Sequence, residues 1–252
     1  MNEVVSTLMN HRSYRRYSDK PIENKDLDMI IRASQAAPSW HGGQQVSIIS
    51  IKDKERKNKI AKLSGDQIQI IQAPIFLIFC ADFYRVKIAS EMEGKPFESV
   101  NNIDILLVGA TDVGLALSNA IATAESLGLG IVPIGGIRRN SLKLIDMLNL
   151  PKYVIPISGL CIGYPKVETI RKPRFSKQAI YHEEQYNHNL LEYIKEYNKI
   201  YEDYMKMRSV DKKSTSWSKR ISNFYSQPFY HDNSYPETAK MLKQQGFPCQ
   251  DI

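Results

Sequence analysis

The sequence predicts one large domain of mixed helices and strands, closed by a helical C-terminal extension. Three observations lead there. The 252 residues exceed a typical domain of roughly 100–200 residues but lie within the span of one large α/β domain. Hydrophobic residues at 42% and charged residues at 24% suit a chain that buries a substantial core. Stretches of helical periodicity alternate with β-branched or continuously apolar runs, and no internal repeat is present.

Each element has its own warrant. Val4, Val5, Leu8 and Met9 recur at helical spacing, giving a short amphipathic helix that delivers His11-Arg-Ser-Tyr-Arg-Arg16 at its end. A turn around Asp19-Lys-Pro21 precedes a helix from about Asn24, with Leu27, Ile30, Ile31 and Ser34 on one face. That helix must stop by Ala37, because Pro38 disfavours helical geometry in the residue before it. Val46–Ile51 is β-branched and reads as a strand, followed by a polar helix over Asp53–Leu63. Pro74–Asp82 is continuously apolar, the pattern of a strand covered on both faces. Asp104–Leu127 is apolar almost all round and predicts a central helix covered on every side, ended by Gly128-Leu-Gly130. A strand at Gly130–Ile134, a loop at Gly135–Asn140, a helix at Leu142–Leu148 and a strand at Tyr153–Gly163 follow.

Beyond Pro165 the pattern changes to a loop at Arg171–Arg174 and a long helix over Asn187–Met207. The helix carries an aromatic stripe, Tyr197, Tyr201 and Tyr204, to be covered by the chain's own core or by a second subunit. Ser209–Lys219 is polar and basic with one tryptophan, and reads as a loop. The core is assigned to residues 1–185 and the helical extension with its basic loop to residues 186–252 of the same domain.

Several function classes are disfavoured. The run Ile103–Leu129 is interrupted by Asp104, Asp112, Asn119 and Glu125, short of the roughly 20 apolar residues that a membrane span needs. Met1–Asn10 has no basic start followed by an apolar run, so a cytoplasmic location is expected. Cys80, Cys161 and Cys249 are not spaced for zinc or a redox pair, and the five histidines form no recognisable ligand set, so no metal is expected. No G-x-G-x-x-G, P-loop or G-x-S-x-G motif occurs, which makes a borrowed cofactor the economical source of reactivity. The net charge of +7 leaves room for an anionic partner, whether a nucleotide, a flavin phosphate or a nucleic acid.

His11-Arg12-Ser13-Tyr14-Arg15-Arg16 groups guanidiniums and a hydroxyl that suit phosphate oxygens. Taken alone, such a run at a helix end is ordinarily a solvated surface. Its context adds more: His11-Arg-Ser-x-Arg15, Pro38-Ser39 with Gln44, Ser64-Gly-x-Gln67, Ala124-Glu-Ser-Leu-Gly-Leu-Gly130, Ile134-Gly-Gly-Ile-Arg138, Gly159-Leu-Cys-Ile-Gly163 and Lys172-Pro-Arg174 follow in order. This order, across about the first 220 residues, resembles the nitroreductase family, above all its larger, NADPH-preferring branch of oxygen-insensitive nitroreductases and flavin reductases.

The resemblance implies an α+β sandwich, a central mixed sheet flanked by helices, in an intertwined homodimer that binds FMN at its interface. It implies that His11, Arg12, Ser13 and Arg15 hold the ribityl phosphate and the nearby flavin edge, joined by Lys172 and Arg174. Ser39, Gln44 and Gln67 are implied beside the ribityl chain or the polar ring edge, and Ile134, Gly135 and Gly136 at the flavin, although two glycines also make a simple turn. The chemistry then belongs to FMN, and no side chain is singled out as catalytic. The reductant is NADPH or NADH, with Arg208, Lys212 and Lys213 expected to grip the 2′-phosphate unless that segment is only a solvated linker. The acceptors are flat molecules: nitroaromatics, quinones or free flavins. Trp40-His41 stands where the branch often carries small polar residues, a departure that could narrow or stack over the acceptor site. The rival class is a basic nucleic-acid-binding protein, which predicts salt-dependent DNA or RNA affinity and a colourless preparation.

Overall fold

The computed structural model describes residues 1–208, 214–226, 235 and 237–251. In chain order the helices are α1 (Glu3–Met9), α2 (Asn24–Gln35), α3 (Lys54–Leu63), α4 (Ile68–Gln72), α5 (Tyr84–Met92), α6 (Asp104–Ser126), α7 (Ser141–Leu148), α8 (Leu191–Arg208), α9 (Trp217–Tyr225) and α10 (Thr238–Gln244). The strands are β1 (Val46–Ile51), β2 (Ile75–Asp82), β3 (Gly130–Ile134) and β4 (Val154–Gly163). The chain divides into two compact units, Met1–Thr169 with Asn233–Ile252, and Ile170–Asp232.

In the first unit the sheet runs β1-β2-β4-β3. All its ladders are antiparallel, and the parallel component of the expected mixed sheet is a single bridge from Ser13 to Ile131. β2 is central, and every one of its residues is buried. Side chains alternate across a strand, so Ile75, Leu77, Phe79 and Ala81 enter one core with Ile30 of α2 and Val113, Ala116 and Ala120 of α6. Phe76, Ile78 and Cys80 enter the other, with Ile60 of α3, Ile70 of α4 and Leu144 of α7. The result is a helix–sheet–helix sandwich. β2 and β4 slip register at Phe79/Cys80, where Cys80 faces Pro156 and Ile157 is left over. Proline has no amide hydrogen to give the ladder, so the bulge forms where the ladder is already broken.

α6 approaches the sheet closely because its inner face is made of small residues. A Cβ on Gly109 would lie 2.9 Å from both Ala81 Cβ and Phe83 Cε2. The expectation that this helix is covered on every side does not hold within one chain. Its buried positions form one stripe from Ile105 to Ala124, while Leu107 is 64% exposed. The helix is also long and apolar enough to cross a membrane by length and composition, unlike the sequence reading. Its small-residue face and the buried Asp112 nevertheless pack on the sheet unit.

No motif assigns a role to the final segment, and its packing supplies one. Met241 of α10 and Phe247 lie in the first core, with Phe247 edge-on to Phe83 and Tyr153. Gln245 is buried and donates to the carbonyls of Pro151 and Val154. In the second unit, Tyr197, Tyr201 and Tyr204 of α8 pack with Phe175, Met205 and Trp217. Phe175 stacks on Tyr197 at 4.0 Å, so the aromatic stripe has partners within its own unit. The expected loop through Lys219 ends earlier, because Ser216 caps α9 by accepting the Lys219 amide.

Candidate functional site

After α1 the chain runs from His11 to Tyr17 outside any helix or strand, with isolated bridges at Ser13 and Tyr17. The Tyr14 amide donates to the Ile131 carbonyl at 2.8 Å, Tyr17 bridges Pro165, and the Tyr17 hydroxyl donates to the Tyr14 carbonyl at 2.7 Å. The two buried tyrosines therefore anchor the segment. Burial raises the Tyr17 phenol far above its usual range, so it stays neutral.

The expected phosphate residues separate along this segment. His11 Nδ1 pairs with Glu125 Oε1 at 2.7 Å, near the end of α6. Arg12 lines a hollow of about 320 Å³ with Asn10, Tyr14, Glu125 and Glu168. The Tyr14 hydroxyl donates to Glu168 there at 3.2 Å, and burial raises this phenol despite Arg12 beside it. Arg12 Nε and Glu125 Oε2 are buried without a hydrogen-bond partner. Ser13 is held by its bridge to Ile131.

Arg15 turns the other way, into a hollow of about 200 Å³ that also takes Gln67, Ile134, Gly135 and Gly136. Five sequence-predicted residues thus meet in one place. Gln67 donates to the Gly65 carbonyl at 3.3 Å and accepts from Gln69 at 2.5 Å. The two glycines differ. A Cβ on Gly136 would lie 2.5 Å from the Ser64 carbonyl oxygen, so the chain's own backbone requires glycine there. A Cβ on Gly135 would meet nothing nearer than the Arg138 guanidinium at 3.9 Å, so that glycine keeps the hollow's wall free of a side chain. Ser64 and Arg139 also line this hollow, and neither was selected from the sequence.

Ser39 and Gln44 are not among the side chains lining it. They belong to a tight turn in which His41, Gly42 and Gln44 have φ of 50°, 67° and 51°. Such angles are unfavourable for histidine and glutamine, and three contacts hold them. Ser39 Oγ accepts the Gln44 amide at 3.1 Å. Asp112, 2% exposed on α6, accepts the Trp40 amide at 3.2 Å. Arg85 of α5 donates to the carbonyls of Gln44 and Val46 at 2.6 and 2.7 Å and pairs with Asp82 at 2.9 Å. Trp40 and His41 meet edge-on at 4.2 Å, and Trp40 is 54% exposed. The sequence signal for Asp112 was visible, an acid within an apolar helix, but its partner was not.

In the second unit Lys172 Nζ lies 5.8 Å from the Tyr201 ring, and Arg174 donates to the Lys172 carbonyl at 3.3 Å. Arg208 is exposed at the end of α8, while Lys212 and Lys213 lie outside the described residues.

Comparison with known proteins shows the family. The Nitroreductase family profile matches residues 8–164, and the Nitroreductase family, C-terminal domain, matches residues 172–250. An FMN reductase of the NAD(P)H type from Bacillus subtilis (strain 168) is 47% identical over 250 residues, 98% of either chain. An NADPH FMN reductase from the same organism is 36% identical, covering 98% of this chain and 99% of its own. The structure of B. megaterium NfrA2 superimposes with a TM-score of 0.94 at 46% identity, covering 98% of each chain.

Proposed function

Since the chain belongs to the nitroreductase family, we infer that it is an FMN-dependent, NAD(P)H-consuming oxidoreductase acting on flat acceptors such as flavins, quinones and nitro compounds. The observation that carries this reading is the Arg15 hollow, where a guanidinium and the Gln67 amide meet Gly135, at which a Cβ would come no nearer than 3.9 Å to another group. The residues present fit FMN. Arg15 is exposed, and among the described residues its guanidinium donates one hydrogen bond, to the Ser13 carbonyl of its own segment at 3.4 Å. Arg12 keeps a buried, unpaired Nε.

FMN, when bound, supplies the two-electron chemistry between nicotinamide and acceptor. The protein's residues bind and orient. Arg15 offers a fork of N–H donors to anionic or carbonyl oxygens. Gln67 offers an amide to the polar edge, and Gly135 leaves room for a flat ring system. His11, Arg12 and Ser13, with Lys172 and Arg174, are our assignment for the phosphate end. Ser39 and Gln44 are assigned to the ribityl chain or ring edge. Their separate turn suits a site shared between two copies of the chain.

The exposed apolar surface supports a homodimer. Val4, Leu8 and Met9 of α1 are 66%, 50% and 58% exposed, alongside Leu107 of α6. An obligate interface commonly buries more than about 2,000 Å², enough to cover such side chains. Use of a cytoplasmic dinucleotide supports a cytoplasmic location. The relatives named as FMN reductases support free flavin among the acceptors, and their names cover both NADPH and NAD(P)H use. Purification tests the reading: a yellow protein with flavin absorbance that NADPH bleaches, sedimenting as a dimer, is expected. A colourless protein with salt-dependent affinity for nucleic acid would overturn it.

A further inference from the structure

We propose that Arg139 is a second cofactor-facing cation in the Arg15 hollow, and that its charge raises the reduction potential of the bound flavin. The proposal rests on the cofactor reading above and deepens it.

Arg138 and Arg139 are neighbours with different fates. Arg138 is committed to the protein: its Nη1 donates to the Ile157 carbonyl at 2.5 Å, the residue left over at the β4 bulge. Its guanidinium also lies 5.6 Å from the Tyr235 ring. Arg139 is positioned by backbone alone. Its amide donates to the Gly136 carbonyl at 3.0 Å, closing the short turn at Gly135–Arg138. Its side chain then lies against Gly65, where a Cβ would come within 3.0 Å of Arg139 Cζ and 3.1 Å of Cδ. Gly65 has a φ of +82°, so this position favours glycine for its backbone angle, and the arginine fills the room beside it. Among the described residues the Arg139 guanidinium makes no hydrogen bond or ion pair.

The hollow holds two guanidiniums, Arg15 and Arg139, and among the described residues no carboxylate lines it. A third polar group awaits a partner: Ser64, 1% exposed, has a buried Oγ with none. Two like charges that line a hollow of about 200 Å³ repel each other, and a ligand that brings negative charge relieves the repulsion. The cofactor's ring brings more of it when reduced. A hydride from the nicotinamide, which would itself be left oxidised, would bring two electrons and one proton to a neutral ring bound there, and so one negative charge. A cation at the hollow therefore binds the reduced form more tightly than the oxidised form. That difference in affinity is the shift in potential, with tenfold corresponding to 29.6 mV for a two-electron couple.

The experiment is potentiometric titration of the FMN-loaded enzyme in wild type, Arg139→Gln, Arg139→Met and Arg139→Lys. Both neutral variants are expected to lower the midpoint potential by about 30 mV, for roughly a tenfold loss of preference for the reduced form. Arg139→Lys, which keeps the charge, is expected to restore most of it. A purely structural role for Arg139 would not follow charge in this way. Should Arg139→Gln fail to fold, Arg139→Met against Arg139→Lys makes the same comparison. A yellow enzyme whose potential is unchanged in the neutral variants, or falls equally in Arg139→Lys, overturns the role of Arg139 alone. A wild-type chain that takes up no FMN overturns the cofactor reading, and this proposal with it.

Discussion

Replacing Arg15 by alanine separates binding from folding more cleanly than any other change in the site. The Arg15 side chain is exposed, and its one hydrogen bond among the described residues, 3.4 Å to the Ser13 carbonyl, is long and local. The segment around it is fixed by other residues, through the Tyr14 amide on Ile131 and the Tyr17 hydroxyl on Tyr14. Its loss should therefore change folding stability by no more than about 0.5 kcal/mol, the usual range for a surface substitution. Binding is affected differently. A charge-assisted hydrogen bond contributes on the order of 1.5–3 kcal/mol, and every 1.4 kcal/mol is about tenfold in a dissociation constant. FMN affinity should fall about tenfold to a hundredfold while the urea midpoint stays in place. Fluorescence titration of the apoprotein with FMN, beside urea unfolding of the same samples, reads both quantities. Full flavin retention by Arg15→Ala on dilution would refute the assignment of this hollow. A large fall in the urea midpoint would refute the argument that Arg15 is free of the fold.

Three further outcomes are expected. Replacing Arg208 and Lys213 together by alanine should raise KM for NADPH and leave NADH kinetics nearly unchanged, since a contact remote from the hydride binds ground and transition states alike; equal effects on both nucleotides would show that the loop does not read the phosphate. Phe247→Ala should cost about 3–5 kcal/mol in urea unfolding, because this ring is fully buried and core phenylalanines lose that much; a loss under 1 kcal/mol would place the C-terminal segment outside the core. Of the three cysteines, only Cys249 should react with a thiol reagent in the native protein. Cys80 and Cys161 are buried, and burial pushes the Cys80 thiol up to about 12, so raising the pH from 7 to 9 should expose no further thiol. Mass spectrometry showing native labelling at Cys80 would count against that core.

Much of the fold was legible because its elements follow local rules. Val46–Ile51 is a strand with the expected bounds, and α2 stops at Gln35 ahead of Pro38. The polar helix starts one residue late, since Asp53 is its cap and accepts the Arg56 amide at 2.8 Å. What local rules miss is partnership at long range. The apolar face of α6 gave no sign of which side meets the sheet; that depends on Gly109 and the alanines meeting Ala81 and Phe83. The site was partly legible for the same reason. Arg15, Gln67 and Gly135 were found by motif, whereas the pairing of His11 with Glu125, 114 residues away, depends on the fold. Which of two adjacent arginines stays uncommitted was decided by a bulge around Pro156, which no arginine-centred motif records.

The return of the chain's end to the first core has a consequence for cutting the molecule. Residues 170–232 form a compact unit of their own, while Met241, Gln245 and Phe247 are buried beyond it in sequence. The Gln250 amide donates to the Asn101 carbonyl at 2.8 Å, and Asp251 accepts the Ile103 amide at 2.9 Å. A protease that nicks the excursion therefore leaves two peptides clasped by the same core, running as two bands on a denaturing gel and as one species on a native column. Deleting residues 237–251 removes the clasp itself, so a short C-terminal truncation should harm the protein more than a cut through its middle.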